Sequence, residues 1–243
     1  MTTPTATQRG RVGVVVVAAG AGTRLGADVP KAFVTVAGRP LLWYAAHAAV
    51  QAAQVGCVVA VVPASHVEDA QDLLEPLIRS SGVAVQVVPG GAERGDSVLA
   101  GVRWLPAECE VVLVHDAARA FAPPDLFDRV AGAVSEATPA VVPGLPVVDT
   151  VKSVDAEGLV VQTLERATLR AVQTPQGFRR EVLLAAHAAY GSLATDDAGL
   201  VERLGRPVLV VAGDPLAVKV TTPADLATAE RIAAGEATGV SGA

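Results

Sequence analysis

Between residues 18 and 31 the chain concentrates groups suited to holding an anion. Ala18, Ala19, Gly20, Ala21, Gly22, Thr23 and Arg24 are followed shortly by Pro30 and Lys31. Side chains this small let main-chain N–H groups come close to a polyphosphate or a base, and Arg24 and Lys31 add positive charge beside them. The segment reads as a phosphate cradle; a flexible glycine loop with a surface arginine is the plainer alternative. It is not a dinucleotide fingerprint, because Leu25 stands where the third Gly or Ala of G-x-G-x-x-G belongs. The second valine-rich run also ends in Pro63 and Ala64, without the acidic residue that would hold a ribose hydroxyl. No Gly-Lys-Ser/Thr follows the glycines, so it is not a Walker A loop either.

The other chemical candidates are scattered. The 19 basic residues include only three lysines, Lys31, Lys152 and Lys219. Lys31 follows the glycine loop, and Lys219 falls in a valine-rich segment read as a strand just ahead of a helix start. At both places a compact ammonium could serve a transferring phosphate. Lys152 reads as a surface lysine. Asp116 ends another valine-rich run, and a carboxylate there, beside a triphosphate cradle, suits Mg²⁺, which takes one or two carboxylates plus substrate phosphates. His115 must point to the opposite side of that strand, where a packed, hydrogen-bonded imidazole is expected. His47, His66 and His187 make no metal or triad spacing, and the isolated Cys57 and Cys109 read as reduced, buried thiols.

These residues need a frame, and the valine runs supply it. Residues 12–17, 57–62, 83–88 and 111–114 are too short for helices and rich in β-branched residues, so they read as buried strands. Segments 40–53, 66–79 and 96–104 between them have helical composition, giving the alternation of a parallel α/β sheet. A helix after Pro123 and Pro124 is expected to reach about residue 137, before a strand at 140–142. The rhythm then breaks: 147–154 and 159–164 flank Asp155, Ala156, Glu157 and Gly158, which predicts a hairpin arm inserted at about 145–170. Its valines, Val147, Val148, Val151, Val160 and Val161, are more apolar surface than a lone two-stranded arm can leave in water, so the arm is expected to pack on a partner. Helices at 179–190 and 195–204, a strand at 208–211 and a helix after Thr222 complete the chain. Thr222, Pro223 and Asp225 fit N-cap, N1 and N3 of that last helix. One domain over 12–234 is expected, with tails at 1–11 and 235–243.

Composition bounds the function. In 243 residues, 51% hydrophobic and 18% charged side chains exclude disorder. The net charge of −6 gives no field for holding a nucleic-acid backbone. No apolar run is long enough to span a bilayer, and the Thr-rich start lacks a secretory layout, so a cytoplasmic protein without membrane or nucleic-acid partners is expected.

Several separate motifs, in order, resemble those of the 2-C-methyl-D-erythritol 4-phosphate cytidylyltransferase family. They are residues 18–24, Pro30-Lys31, Gly90-Gly-Ala-Glu-Arg-Gly-Asp-Ser97, Val114-His-Asp-Ala-Ala-Arg119 and Leu216-Ala-Val-Lys219-Val-Thr. Asp149-Thr150, Arg166, Thr174-Pro175-Gln176 and Thr195-Asp196-Asp197 extend the likeness, which spans residues 12–232. The resemblance implies a Rossmann-like nucleotidyltransferase fold, with a mostly parallel mixed sheet, helices on both faces and a β-hairpin arm that embraces a twin subunit in a homodimer. It implies transfer of CMP from CTP to methylerythritol phosphate with Mg²⁺. Ala18, Ala19, Gly20, Ala21, Gly91, Ala92 and Ser97 would hold the cytosine and ribose. Arg24 and Lys31 would stabilise the transition state, Asp116 would engage the metal, and Lys219 and Arg166 would position the acceptor phosphate. Arg119, Thr150 and Thr195 would be further contacts to the sugar phosphate. Ala120 and Ala217 depart from the Pro and Asn that many relatives carry there. The same chemistry on ribitol 5-phosphate, an NAD(P) oxidoreductase and a non-catalytic nucleotide-binding module are the competing readings.

Overall fold

The computed structural model describes residues 10–20, 29–191 and 196–235. Of the expected tails only Gly10, Arg11 and Gly235 fall within them. In chain order the elements begin with β1 (Val12–Val17) and a small ribbon of β2 (Thr35–Val36) and β3 (Arg39–Pro40). Then come α1 (Leu41–Gln51), β4 (Val55–Val62), α2 (Val67–Ser80), β5 (Ala84–Pro89), α3 (Arg94–Trp104), β6 (Val111–Asp116), α4 (Pro124–Ala133) and β7 (Ala140–Pro146). The arm follows as β8 (Lys152–Val154) and β9 (Val160–Thr163), then β10 (Arg170–Val172) and β11 (Gln176–Arg179). The chain closes with α5 (Arg180–Tyr190), α6 (Asp197–Arg203), β12 (Val208–Ala212) and α7 (Pro223–Ala233).

β5, β4, β1 and β6 lie side by side and parallel, as the valine runs require. β11 is antiparallel to both β6 and β7, and β12 runs parallel to β7 on its far side. β10 pairs with the second half of β7 on the β11 side, so β10 and β11 form one interrupted line. The result is a mixed eight-stranded α/β sheet.

Alternation along the strands divides the core between two faces. Val14 and Val16 of β1 pack with Leu42 of α1, Leu74 of α2 and Phe127 of α4. Val15 faces the other way, with Val98 of α3, Leu183 of α5 and Leu200 of α6. Each such side chain, fully buried, is worth roughly 1.5–3 kcal/mol, and the pattern on β1 fixes its register because a one-residue slip would exchange the faces. Gly101 of α3 is small of necessity: a Cβ there would lie 2.4 Å from Val15 Cγ1, so α3 sits directly on β1.

Several boundaries differ from expectation for local reasons. α3 starts at Arg94, two residues early, because Asp96 caps from inside the helix, its Oδ2 accepting the Glu93 N–H at 3.1 Å. α4 stops at Ala133, short of 137, where Thr138 Oγ1 donates to the Ala133 carbonyl and closes the chain into a turn. In the arm only Lys152–Val154 and Val160–Thr163 pair, and Val147 and Val151 are half-buried, whereas Val148, Val160 and Val161 are exposed. Its turn forms at 155–158: Asp155 Oδ1 accepts the N–H groups of Glu157 and Leu159, and Gly158 takes a φ of +85° that favours glycine. α7 carries the expected cap, with Thr222 and Asp225 each bonding the other's backbone N–H. Among the described residues no helix is long and apolar enough to cross a membrane.

Candidate active site

The chain leaves β1 for α1 on one side and returns through β5 and α3 to β6 on the other, so the strand order reverses between β1 and β6. Open α/β sheets bind ligands in the crevice at such a switch, beyond the carboxyl ends of the strands. A cleft opens there, lined among others by Ala18–Gly20, Lys31, Gly91, Ala92, Arg94, Ser97, Asp116 and Lys219. Residues far apart in sequence, expected to act together, thus share one wall-to-wall space.

The floor is made by the ends of the strands. The Ala18 N–H donates to the Val61 carbonyl at 2.8 Å and the Ala117 N–H to Val17 at 3.0 Å, each extending the sheet by one bond. The Ala18 N–H is therefore committed to the sheet and is not available to a bound anion. Gly90 lets the second wall approach: a Cβ there would lie 2.6 Å from Ala19 Cβ and 2.8 Å from Ser97 Oγ. Ser97 is buried and works inside that wall, accepting the Gly91 N–H at 3.2 Å while donating to the Glu93 carbonyl at 3.2 Å.

Asp116 stands at the end of β6 with its side chain 14% exposed. Oδ2 accepts from Lys219 Nζ at 2.7 Å, and Oδ1 from Arg94 Nη2 at 3.2 Å. Burial alone would raise its pKa; the Arg94 and Lys219 charges outweigh that and hold the carboxyl well below the usual range. It is a carboxylate at any working pH. His115 points away as expected, its ring 4.8 Å from Phe127 and Nδ1 3.1 Å from Thr174 Oγ1. Desolvation pushes its pKa down to about 4, so it is neutral. Thr174 Oγ1 also accepts the Asp116 N–H at 3.0 Å, fixing the end of β6. Cys57 and Cys109 are free and buried, and burial pushes the Cys57 thiol up to about 11.

Lys219 is not in a strand: after β12 the chain makes a turn, the Ala217 N–H donating to the Asp214 carbonyl at 3.0 Å, and then runs outside any strand to residue 221. It is tethered instead, by Val220 N–H to the Ala118 carbonyl at 2.8 Å, and by Gln173, which both accepts the Asp214 N–H and donates to its carbonyl. The buried Ala217 packs in the core, and its carbonyl accepts from Arg119 Nη1 at 2.7 Å. Arg119 Nη2 donates to the Val172 carbonyl at 3.1 Å, so here Arg119 braces the segment that carries Lys219, and it does not line the cleft.

Arg166 and Thr150 are exposed on or beside the arm and do not line the cleft of their own chain. Arg166 Nη1 donates to the Val148 carbonyl at 2.6 Å. Ala21, Arg24 and Thr195 lie outside the described residues.

Sequence reasoning gave no role to Arg94, Asp197, His187 or Gln173. One signal was available for Arg94. It occupies the first turn of α3, where the helix dipole disfavours a cation, so its presence required carboxylates nearby.

The comparisons agree with this geometry. Residues 12–234 match the family model for 2-C-methyl-D-erythritol 4-phosphate cytidylyltransferase. A protein of that name from Nocardia farcinica is 55% identical over 223 residues, covering 92% of this chain and 94% of its own. One from Saccharopolyspora erythraea is 52% identical, covering 90% and 98%. Among solved structures, 4-diphosphocytidyl-2C-methyl-D-erythritol synthase from Anaerococcus prevotii superposes with a TM-score of 0.81 at 27% identity, covering 92% of this chain and 96% of that one. The cytidylyltransferase from Thermus thermophilus gives 0.71 at 36%, covering 91% and 98%.

Proposed function

The chain belongs to the 2-C-methyl-D-erythritol 4-phosphate cytidylyltransferase family, and from that premise we propose that it transfers CMP from CTP to 2-C-methyl-D-erythritol 4-phosphate, releasing pyrophosphate, in the non-mevalonate route to isoprenoids. The observation that carries this reading is the convergence of the 18–20 loop, Lys31, Asp116 and Lys219 in one cleft at the strand-order switch.

An oxygen of the acceptor phosphate attacks the α-phosphorus of CTP. The new P–O bond forms as the bond to the α,β-bridging oxygen breaks, and pyrophosphate leaves with that electron pair. Negative charge gathers at one centre, so preorganised cations lower the barrier. Lys31 meets the charge on the transferring and leaving groups, a role the family resemblance also gives to Arg24, and Lys219 holds the attacking phosphate. Main-chain groups at Gly91 and Ala92 would meet the edge of the base, and a pocket shaped to a pyrimidine would reject a purine by size and uracil by mismatched donors and acceptors.

Asp116 fits magnesium. It is a deprotonated, hard oxygen donor that lines the cleft at the end of β6. One or two carboxylates suit an ion held largely by substrate phosphates. When bound, the ion would neutralise triphosphate charge and orient the leaving group.

The arm supports a two-fold homodimer. Val148, Leu159, Val160 and Val161 are 77%, 67%, 59% and 69% exposed on or beside a two-stranded ribbon, apolar surface that a second copy would cover. Arg166, which does not line the cleft of its own chain, would then serve the partner's.

The test is pyrophosphate release with CTP, UTP, ATP or GTP, each with Mg²⁺ and either methylerythritol phosphate or ribitol 5-phosphate. Release with CTP and methylerythritol phosphate is expected. Turnover only with ribitol 5-phosphate, or CTP binding without turnover, defeats the assignment.

A further inference from the structure

Behind the cleft lies a relay that the proposed reaction does not yet use. Arg94 Nη1 donates to Asp197 Oδ2 at 2.7 Å, and Asp197 Oδ1 accepts from His187 Nε2 at 2.9 Å. The Asp197 and His187 side chains are each only 2% exposed. His187 sits under the first turn of α3, its Cε1 3.5 Å from where a Cβ on Gly95 would be. The other edge of the Arg94 guanidinium, Nε and Nη2, faces Asp116 Oδ1 at 3.4 and 3.2 Å. Arg94 thus spans two carboxylates, one in the cleft and one sealed behind it, and a third element, α5, fixes the sealed one.

We propose that Asp197 and His187 are positioning residues for the transfer reaction, acting through Arg94 on Asp116. Lys219 reaches Asp116 on a flexible, 42%-exposed stem and must turn to the acceptor phosphate during the reaction. Arg94 cannot follow it, because Asp197 holds its far edge. The fork therefore fixes the Asp116 carboxylate through Oδ1 at the cleft wall and keeps one cation at the head of α3 whether or not Lys219 is engaged at Oδ2. A planar guanidinium is needed for this; an ammonium cannot bond two carboxylates along opposite edges. Burying Asp197 is costly unless it is paired and hydrogen-bonded on both oxygens, which Arg94 and His187 accomplish. Such a built polar layer stabilises the fold little for what it costs, so its value lies in geometry.

The inference rests on the proposed cytidylyl transfer and is tested with two readouts, one of which needs no turnover. Asp197→Asn preserves shape and the bond from His187 but removes the charge that holds Arg94. Arg94→Lys keeps the charge and loses the fork. Each should lower kcat about tenfold with KM for CTP changed less than about threefold, as is common when a group supporting a catalytic side chain is lost. The double variant should be no more than about threefold worse than the poorer single, because both remove the same arrangement. Independently, the Arg94 Nε–H resonance, assigned by its loss in Arg94→Lys, should be slow to exchange in the wild type and vanish in Asp197→Asn. His187→Phe should shift both readouts in the same direction, by less. Multiplicative losses in the double variant, or an Asp197→Asn protein with wild-type kcat and an unchanged Arg94 resonance, overturn the proposal. A wild-type chain that does not turn over CTP sinks the functional reading instead, and the resonance alone then judges the relay.

Discussion

The cleft and the arm obey opposite rules of construction. Cleft residues are held by bonds between distant parts of the chain: Lys219 and Asp116 are 103 positions apart, as are Arg94 and Asp197. The paired strands of the arm are joined locally, Lys152 to Thr163 and Val154 to Val160, around a turn that Asp155 organises. One region is buried and cross-braced by charge; the other presents valines to solvent. The difference teaches that the cleft is braced within a single chain, whereas the arm's valines are left exposed by their own chain and are covered only in the proposed dimer. Rigid placement belongs where charge must be met at one atom, and the arm needs only shape and apolar area.

The largest effect expected on this contrast comes from the cleft. Lys31→Ala should lower kcat/KM for CTP about a hundredfold, near 3 kcal/mol of barrier, with an unchanged melting temperature. A loss of less than fivefold in pyrophosphate release would remove Lys31 from the transition state. Next, Val161→Asp should leave the fold intact but move the protein to monomer in sedimentation velocity, with activity dropping about tenfold as the partner's Arg166 is withdrawn. A monomeric wild type, or a dimer untouched by this change, would break the arm's side of the comparison. Gly90→Ala should then destabilise by about 1–3 kcal/mol, since its Cβ meets Ala19 and Ser97, and should weaken CTP binding in calorimetry.

Smaller still is a pH effect. His115 is neutral when folded, with a pKa near 4, whereas the unfolded imidazole titrates near 6.5. Between those values the unfolded chain binds the extra proton, so this contribution is complete above about pH 6.5 and is lost as pH falls toward 4. The urea midpoint should fall from pH 7 to pH 5, and His115→Gln should flatten the slope. Least of all, Asp155→Ala should loosen the arm's turn and leave CTP affinity unchanged; a change in affinity would mean the two regions are coupled within one chain.

How much of this could be read from the residues follows the same division. Strands β1, β4 and β6 were legible because a strand buried on both faces is a continuous valine run, β5 because Val85, Val87 and Val88 make a short β-branched run, and the cap of α7 because Thr222, Pro223 and Asp225 sit at fixed offsets. Asp116 and the opposite aim of His115 followed from strand alternation. β11 was hidden: Gln176–Arg179 has no valine run, and Gln176 is buried because its amide bonds Asp196 and Ala198. Lys219 was expected in a strand because Val218 and Val220 flank it, but pairing decides a strand, and its neighbours are held by Ala118 and Gln173 instead. The Arg94–Asp197 bond joins positions that no single-sequence pattern connects.

The central claim is that CTP lies in the cleft at the β1/β6 switch, and a crystal structure with CTP and Mg²⁺ tests it most directly. The account predicts the cytosine and ribose between the 18–20 loop and Gly91–Ala92, with the triphosphate running between Lys31 and Asp116. A nucleotide bound elsewhere, or one whose phosphates turn away from Lys31 and Asp116, would contradict it.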